Sequence, residues 1–495
     1  MSYFSRLCAA PFYSQLKAHW AFGVASRIIQ TALILVFALS TNLAHSTDND
    51  STELSDHRAK SLEIYRTIVE IPTVAGRGNG QKIVDYLSQQ FIAAGFQAAD
   101  INTVKVGDAV GLTVRYSGQK GSQLQPILLL GHMDVVEALD SDWQRPPFTL
   151  SEDDAYFYGR GSKDNKYGVS MLASTFVRLK KQGFVPNRDM YLVFSGDEET
   201  TMETTEVLAY KTPYLSKAEY ALNSDAGGGL LDTHHQPISF AVQAAEKTYA
   251  TFEITIRNPG GHSSIPRPDN AIYELSKALD AIANFTFPVN SSSVTRDYFR
   301  LNSLRVEGEL GEAMARFAED PTDVEAVALM SKKANYNGML RTNCVATMLR
   351  GGHAENALPQ SATATVNCRI FPGESIEGVK QQLTAVINNP DAQIDLLVPY
   401  PESPTSELRD DVMAAVRKAV DTISPDLPLV PYMSPGASDG MHFRKAGIPV
   451  WGVSSAFIRA EDNFAHGLNE RFPKKSFNEG LEFWTLLLKE LTQTN

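Results

Sequence analysis

The chain has 495 residues, a formal charge of −12 and only three cysteines, which excludes a small disulfide-stapled scaffold. With 45 Lys and Arg against 57 Asp and Glu, it also lacks the basic surplus that a nucleic-acid partner requires. Hydrophobic residues at 43% and charged residues at 21% are ordinary globular usage and leave ample material for a core.

Residues 1–46 carry Arg6, Lys17 and Arg27 but no acid, and an apolar run over 31–43 precedes Ala44-His45-Ser46. This pattern predicts a secretory leader with an A-x-S cleavage site, hence export, to the periplasm. The alternative is an uncleaved anchor. Gln30, Thr31, Ser40, Thr41 and Asn42 leave the stretch short of the ~20 apolar residues of a span, so no stable membrane span is expected in the mature chain. Residues 47–57 read as a polar linker.

From 58 to 245, helical patterns at 61–70, 81–94 and 169–182 alternate with apolar strands at 126–130, 190–195 and 219–223, which implies a βαβ sheet. Over 246–400 the pattern changes. Strands at 249–257, 345–349, 362–370 and 393–398 combine with helices at 271–283 and 375–387 and a charged helical stretch at 311–333, predicting a separate inserted α+β unit. Residues 401–495 return to α/β, with helices at 407–423, 441–446 and 475–491 and a strand at 449–453. Cys344 and Cys368 lie on strand-like apolar segments and read as two buried thiols rather than a bridge.

Ligands of open α/β sheets bind beyond the carboxyl ends of the strands. Strand 127–130 runs into Gly131-His132-Met133-Asp134, strand 191–194 into Gly196-Asp197-Glu198-Glu199, strand 220–222 into Asn223-Ser224-Asp225, and strand 450–453 leads towards Ala465-His466-Gly467. Asp164 opens the helix after Gly159-Arg160-Gly161-Ser162-Lys163. Singly, each is an ordinary turn or cap. Together, two histidines and three carboxylates form a donor set for Zn²⁺, Co²⁺ or Mn²⁺, and two divalent ions, three carboxylates and one hydroxide sum to zero charge.

These motifs, with Asn165-Lys166, Gly260-Gly261-His262-Ser263-Ser264, Arg341-Thr342-Asn343-Cys344 and Leu468-Asn469-Glu470, resemble the M20 family of co-catalytic metallopeptidases, which includes dipeptidases, carboxypeptidases and N-acyl-amino-acid hydrolases. The resemblance implies a zinc-peptidase-like catalytic domain with a mostly parallel sheet, interrupted by a ferredoxin-like lid and dimerisation domain. It implies that Asp164 bridges two divalent ions, most simply Zn²⁺, that His132 and Asp225 hold one, and that Glu199 and His466 hold the other. Glu198 would be the general base and Asp134 the group orienting His132. His262 resembles the lid histidine that polarises the scissile carbonyl, often from a dimer partner. Asn356 and Arg369 resemble the groups that receive the carboxylate of a peptide or N-acyl amino acid. Asn165 departs from the pattern, where many members carry a second acid, and the lid is longer than the family's compact form.

A serine hydrolase is the sharpest rival. Gly436-Ala437-Ser438-Asp439-Gly440 matches G-x-S-x-G, and Asp462 and His466 follow in triad order. Pro431 and Pro435 argue against the strand that such an elbow needs. A non-catalytic periplasmic metal- or peptide-binding protein is the second rival, and it leaves Glu198 without a purpose. His234, His235, His353 and His442 read as surface or packing residues, and Gly227-Gly228-Gly229 as a loop that lets backbone approach the site.

Overall fold

The computed structural model describes residues 53–493, so the expected leader and the linker up to residue 52 lie outside the described residues. Residues 61–69 are helical, as expected for 61–70, and residues 53–60, partly in the expected linker, are helical too. The chain divides after Lys60, and everything below belongs to the unit that starts at Ser61. Among the described residues no helix is long and apolar enough to cross a membrane.

The larger sheet has ten strands and is parallel where it matters for the site. Ile127–His132 lies between Met190–Ser195 and Tyr220–Asn223, parallel to both, and Tyr220–Asn223 pairs in parallel with Val450–Gly452. The first two of these strands are buried along their whole length, as unbroken apolar runs sandwiched between helices must be. The helix Lys166–Lys181 is buried on nearly all sides because its small residues let it sink into the sheet. Gly168 has no alternative there, since a Cβ would lie 2.4 Å from Ser224 Oγ.

The inserted unit is a four-stranded antiparallel sheet in the order Asn343–Gly351, Ser361–Ile370, Thr248–Arg257, Ala392–Val398. Helices Ala271–Asn284 and Ile376–Ile387 complete a βαββαβ unit of ferredoxin-like topology. Strict alternation of burial along Ser361–Ile370 turns Ala362, Ala364, Val366, Cys368 and Ile370 onto Phe252, Ile254, Leu275 and Leu383. The charged stretch expected at 311–333 resolves into Glu309–Glu319 and Val324–Ser331. With Ser293–Ser303 and Ala334–Leu340 they form a helical addition with its own core of Phe299, Met314, Phe317 and Met330.

Three expectations need correcting. Cys344 and Cys368 form a disulfide, because the antiparallel register sets them directly opposite each other, a pairing invisible when each strand is read alone. Gly228–Leu231 is a strand, not a loop. Its glycines serve packing, since a Cβ on Gly229 would strike the Phe457 ring at 2.0 Å. Pro431 does not break the chain into a loop either. It lies inside the strand Leu429–Ser434, which pairs with Pro237–Glu246 alone and so leaves one side where a missing N–H does no harm.

Where the chain enters the lid, Glu246 is fully buried and ion-paired with Arg444, whose Nε also donates to Ser406 Oγ at 3.2 Å on the returning segment. Ser406 N donates in turn to Ala244 O at 2.8 Å. Removing one member of a buried pair strands the other charge. Glu246→Ala is therefore expected to lower unfolding stability by ~3–5 kcal/mol in urea titrations, and replacing both residues with Met to recover most of it.

Candidate metal and catalytic site

Neighbouring parallel strands release the chain on the same side, which gathers His132, the turn 196–199 and Asp225. Asp164 supplies the centre. Its Oδ1 lies 3.0 Å from His132 Nε2, and its Oδ2 lies 3.4 Å from His466 Nε2. Asp225 Oδ1 is 3.6 Å from His132 Nε2, and Glu199 reaches His466 Nε2 at 2.8 Å. Ligand atoms of His132, Asp164 and Glu199 all lie within 4.8 Å of one another. This is the spacing of a donor set that a divalent ion draws together, and the mixture of imidazole and carboxylate suits Zn²⁺, Co²⁺ or Mn²⁺. The Asp164–Asn165 peptide is cis.

The turn that carries Asp164 is folded around a residue whose role the sequence did not disclose. Glu470 is fully buried and accepts from the backbone N–H groups of Gly161, Lys163 and Asp164 at 3.0, 2.7 and 3.0 Å. Gly161 can present its N–H because it adopts φ +82°. Arg160 pairs with Glu470 at 2.8 Å and donates to the carbonyls of His466 and Gly467. One buried ion pair thus fastens both the turn of Asp164 and the segment of His466. Its motif neighbours were the only signal available.

Asp134 performs a similar double task. Its carboxylate accepts from the N–H groups of Glu198 and Glu199 at 3.1 and 3.0 Å and lies 3.5 Å from His132 Nδ1. The next acid, Asp197, accepts from the N–H groups of Glu203 and Thr204 and so starts the helix Glu203–Tyr210. Asp439, buried behind the turn, accepts from Ser195 and Thr205 hydroxyls at 2.6 and 2.5 Å, and burial pushes it up to about 7.

Burial raises Glu198 well above the carboxylate range, with Asp225, Asp439 and Glu199 adding to the effect and His132 opposing it. Asp164 goes the other way, because the two imidazoles outweigh its burial. Hydrogen bonds to Asp164 and Glu199 lift His466 to about 10, and Asp225, Asp134 and Asp164 lift His132 despite its burial.

Glu198, Glu199, Asp164, Asp225 and His466 line a cleft of about 360 Å³ whose lid wall includes Arg369. His262 and Asn356 are not among its lining residues. They sit together on the exposed pairing of Gly261–His262 with Ala357–Leu358, where Ser263 N donates to Asn356 O at 3.0 Å. Asn165 is buried and accepts from Ser224 Oγ at 3.3 Å, a structural bond in the place of the second acid. The serine triad does not assemble. Ser438 donates to Glu246 at 3.0 Å, Asp462 is engaged by Arg459 and Arg471, and His466 by Glu199. His234, His235 and His353 are exposed and His442 is buried, as packing and surface roles require.

The profile of peptidase family M20/M25/M40 matches residues 128–490. The chain belongs to this family. It is 26% identical to the N-fatty-acyl-amino acid synthase/hydrolase PM20D1 of Xenopus tropicalis over 94% of this chain and 93% of that one. It is 28% identical to the probable carboxypeptidase S-like 2 of Dictyostelium discoideum over 74% and 72%. Its fold matches the di-peptidase Dug1p of Saccharomyces cerevisiae with a TM-score of 0.63 at 16% identity, over 90% of this chain and 98% of that one. It also matches YXEP of Bacillus subtilis, a dinuclear metal binding peptidase, with a TM-score of 0.56 at 12% identity, over 89% and 100%. As a member, the chain is a metal-dependent hydrolase of peptide or N-acyl amide bonds.

Below their raised pKa values both imidazoles carry protons, and a cation must displace a proton to reach the same lone pair. Adding Zn²⁺ or Co²⁺ to metal-stripped protein at pH 7 in weak buffer is therefore expected to acidify the solution, and affinity to fall as pH falls. A pH electrode reads the first and competition titrations the second. Binding with no proton release would contradict this electrostatic picture.

Proposed function

We propose that this chain cleaves an amide bond next to a free carboxylate, in a peptide or an N-acyl amino acid, with two divalent ions. The observation that carries the reading is the pair of Asp164 oxygens, one facing His132 and the other His466. In this reading His132 and Asp225 hold one ion, Glu199 and His466 the other, and Asp164 both. Such ions, when bound, acidify water and polarise a carbonyl.

The remaining work belongs to the chain. Glu198 takes a proton from the attacking water and returns it to the leaving amine nitrogen, a role that its buried position beside the cleft supports. Arg369 receives the substrate carboxylate from the lid side. The curated relatives are named for N-acyl amino acids and for a carboxypeptidase, and both chemistries present an amide beside a carboxylate. A protein that only stores metal would have no use for Glu198.

Glu198→Ala is expected to retain close to the wild-type metal content while turnover falls by on the order of 10²–10⁴, whereas Glu199→Ala loses metal as well. Metal analysis beside assays on dipeptides and N-acyl amino acids checks both. Normal turnover by Glu198→Ala would remove the base from the reading.

The reading extends to a homodimer through the lid. Asn343–Gly351 is an edge strand, and Val345, Met348 and Leu349 on it are 52%, 60% and 67% exposed, a surface that a second copy would cover. A partner's lid would also give His262 and Asn356 access to the cleft. Mixed dimers of His262→Ala with Glu198→Ala subunits are then expected to regain part of the activity that each variant lacks alone. Isolated mixed dimers with no recovery would put His262 in its own chain's site or outside catalysis. Export is proposed on the acid-free leader and is supported by the Cys344–Cys368 bridge, which persists in oxidising compartments.

A further inference from the structure

The lid contributes Tyr249, Arg369 and Tyr400 to the cleft wall, and Arg369 is the charged group of the three. Tyr249 and Arg369 are register partners on the antiparallel strands Thr248–Arg257 and Ser361–Ile370. The guanidinium carbon lies 4.6 Å from the centre of the Tyr249 ring. Tyr400 meets that ring edge-on, with centroids 5.1 Å apart and planes at 72°, so the ring is braced by a second aromatic. Arg369 Nη1 donates to Pro435 O at 3.2 Å. Among the described residues no carboxylate pairs with it.

A guanidinium offers five N–H donors in a rigid plane. With one face against a ring and one donor committed to Pro435, the plane of Arg369 is restricted before any ligand arrives, leaving the Nε and Nη2 edge for an anion. An arginine without that support would give up side-chain freedom on binding, which weakens the complex. The geometry points to Tyr249 as a positioning residue that holds the Arg369 plane for two parallel hydrogen bonds to a substrate carboxylate. This rests on the role given to Arg369 above. The face of the ring does the holding, so the tyrosine hydroxyl is dispensable.

Calorimetry on metal-stripped full-length protein, with N-acetyl-leucine and N-acetyl-leucinamide as probes, tests this without turnover. Wild type is expected to bind the acid at least tenfold tighter than the amide. Tyr249→Phe keeps that preference. Tyr249→Leu lowers acid affinity roughly 5- to 30-fold, the range of a partly desolvated cation–π contact, and leaves amide affinity unchanged. In an Arg369→Ala background Tyr249→Leu adds nothing. With metal-loaded enzyme the same change raises KM and leaves kcat within about threefold, as loss of uniform binding does. Tyr400→Leu frees the ring without removing it, gives a smaller selective loss, and carries the test if Tyr249→Leu does not fold. Wild type that fails to prefer the acid, Tyr249→Leu that binds it normally, Tyr249→Phe as weak as Tyr249→Leu, or an equal loss in the Arg369→Ala background would each overturn the assignment. If wild type prefers the acid in binding yet hydrolyses no amide, the proposed function fails and the role of Tyr249 stands.

Discussion

The buried carboxylate of Glu470 is the contact on which the site depends. Three consecutive-turn N–H groups and the Arg160 guanidinium converge on it, and without them the segment bearing Asp164 would have no reason to hold its shape. Burial raises Glu470, as does the charge of Asp164, while the N–H groups of Lys163 and Asp164 and the Arg160 charge oppose the rise. A carboxylate with this many donors can stay ionised in a dry interior, where a bare one could not. The arrangement also explains why so many acids coexist in a small volume. Each except Glu198 is given donors or an imidazole, and what is left over is the demand for cations.

Asp134 extends the same logic across the sheet. It connects His132, at the end of one strand, with the backbone of Glu198 and Glu199, just past the next. The parallel register of Ile127–His132 against Met190–Ser195 sets the spacing, and Asp134 spans the gap that remains. His132, Glu198 and Glu199 are thus joined through one carboxylate rather than being separate residues that share a cleft.

How much of this was legible follows from the range of the interactions. Met190–Ser195 is a continuous apolar run and Gly80–Ala94 has a clear helical stripe, so both were readable locally. The hairpin Ile101–Val106 with Ala109–Tyr116 was missed because its first strand is largely exposed and shows little apolar alternation. Glu203–Tyr210 was missed because Asp197, rather than a strong periodic pattern, starts it. At the site, the strand-end rule and the family motifs named His132, Asp164, Glu199, Asp225 and His466, which the fold brings together. The binding of Glu470 to N–H groups some 300 residues away, with |i−j| of 307 for Lys163, lies beyond any local pattern. So does the pairing of Cys344 with Cys368, which exists only through sheet register.

The Arg444 guanidinium has a mechanical consequence. It touches both tethers of the lid, Glu246 on the way out and Ser406 on the way back. Two tethers gathered at one guanidinium cannot part without breaking a buried ion pair, and the bond from Arg369 Nη1 to Pro435 O adds a second fastening between lid and body. Arg369 and its tyrosines stand on the lid side of this junction, while His132, Asp164, Glu198, Glu199, Asp225 and His466 all stand outside the lid. The cleft wall that Arg369 forms and the acid cluster opposite it thus belong to different parts of the fold, so substitutions in the lid can reshape the one and leave the hydrogen bonds of the other in place.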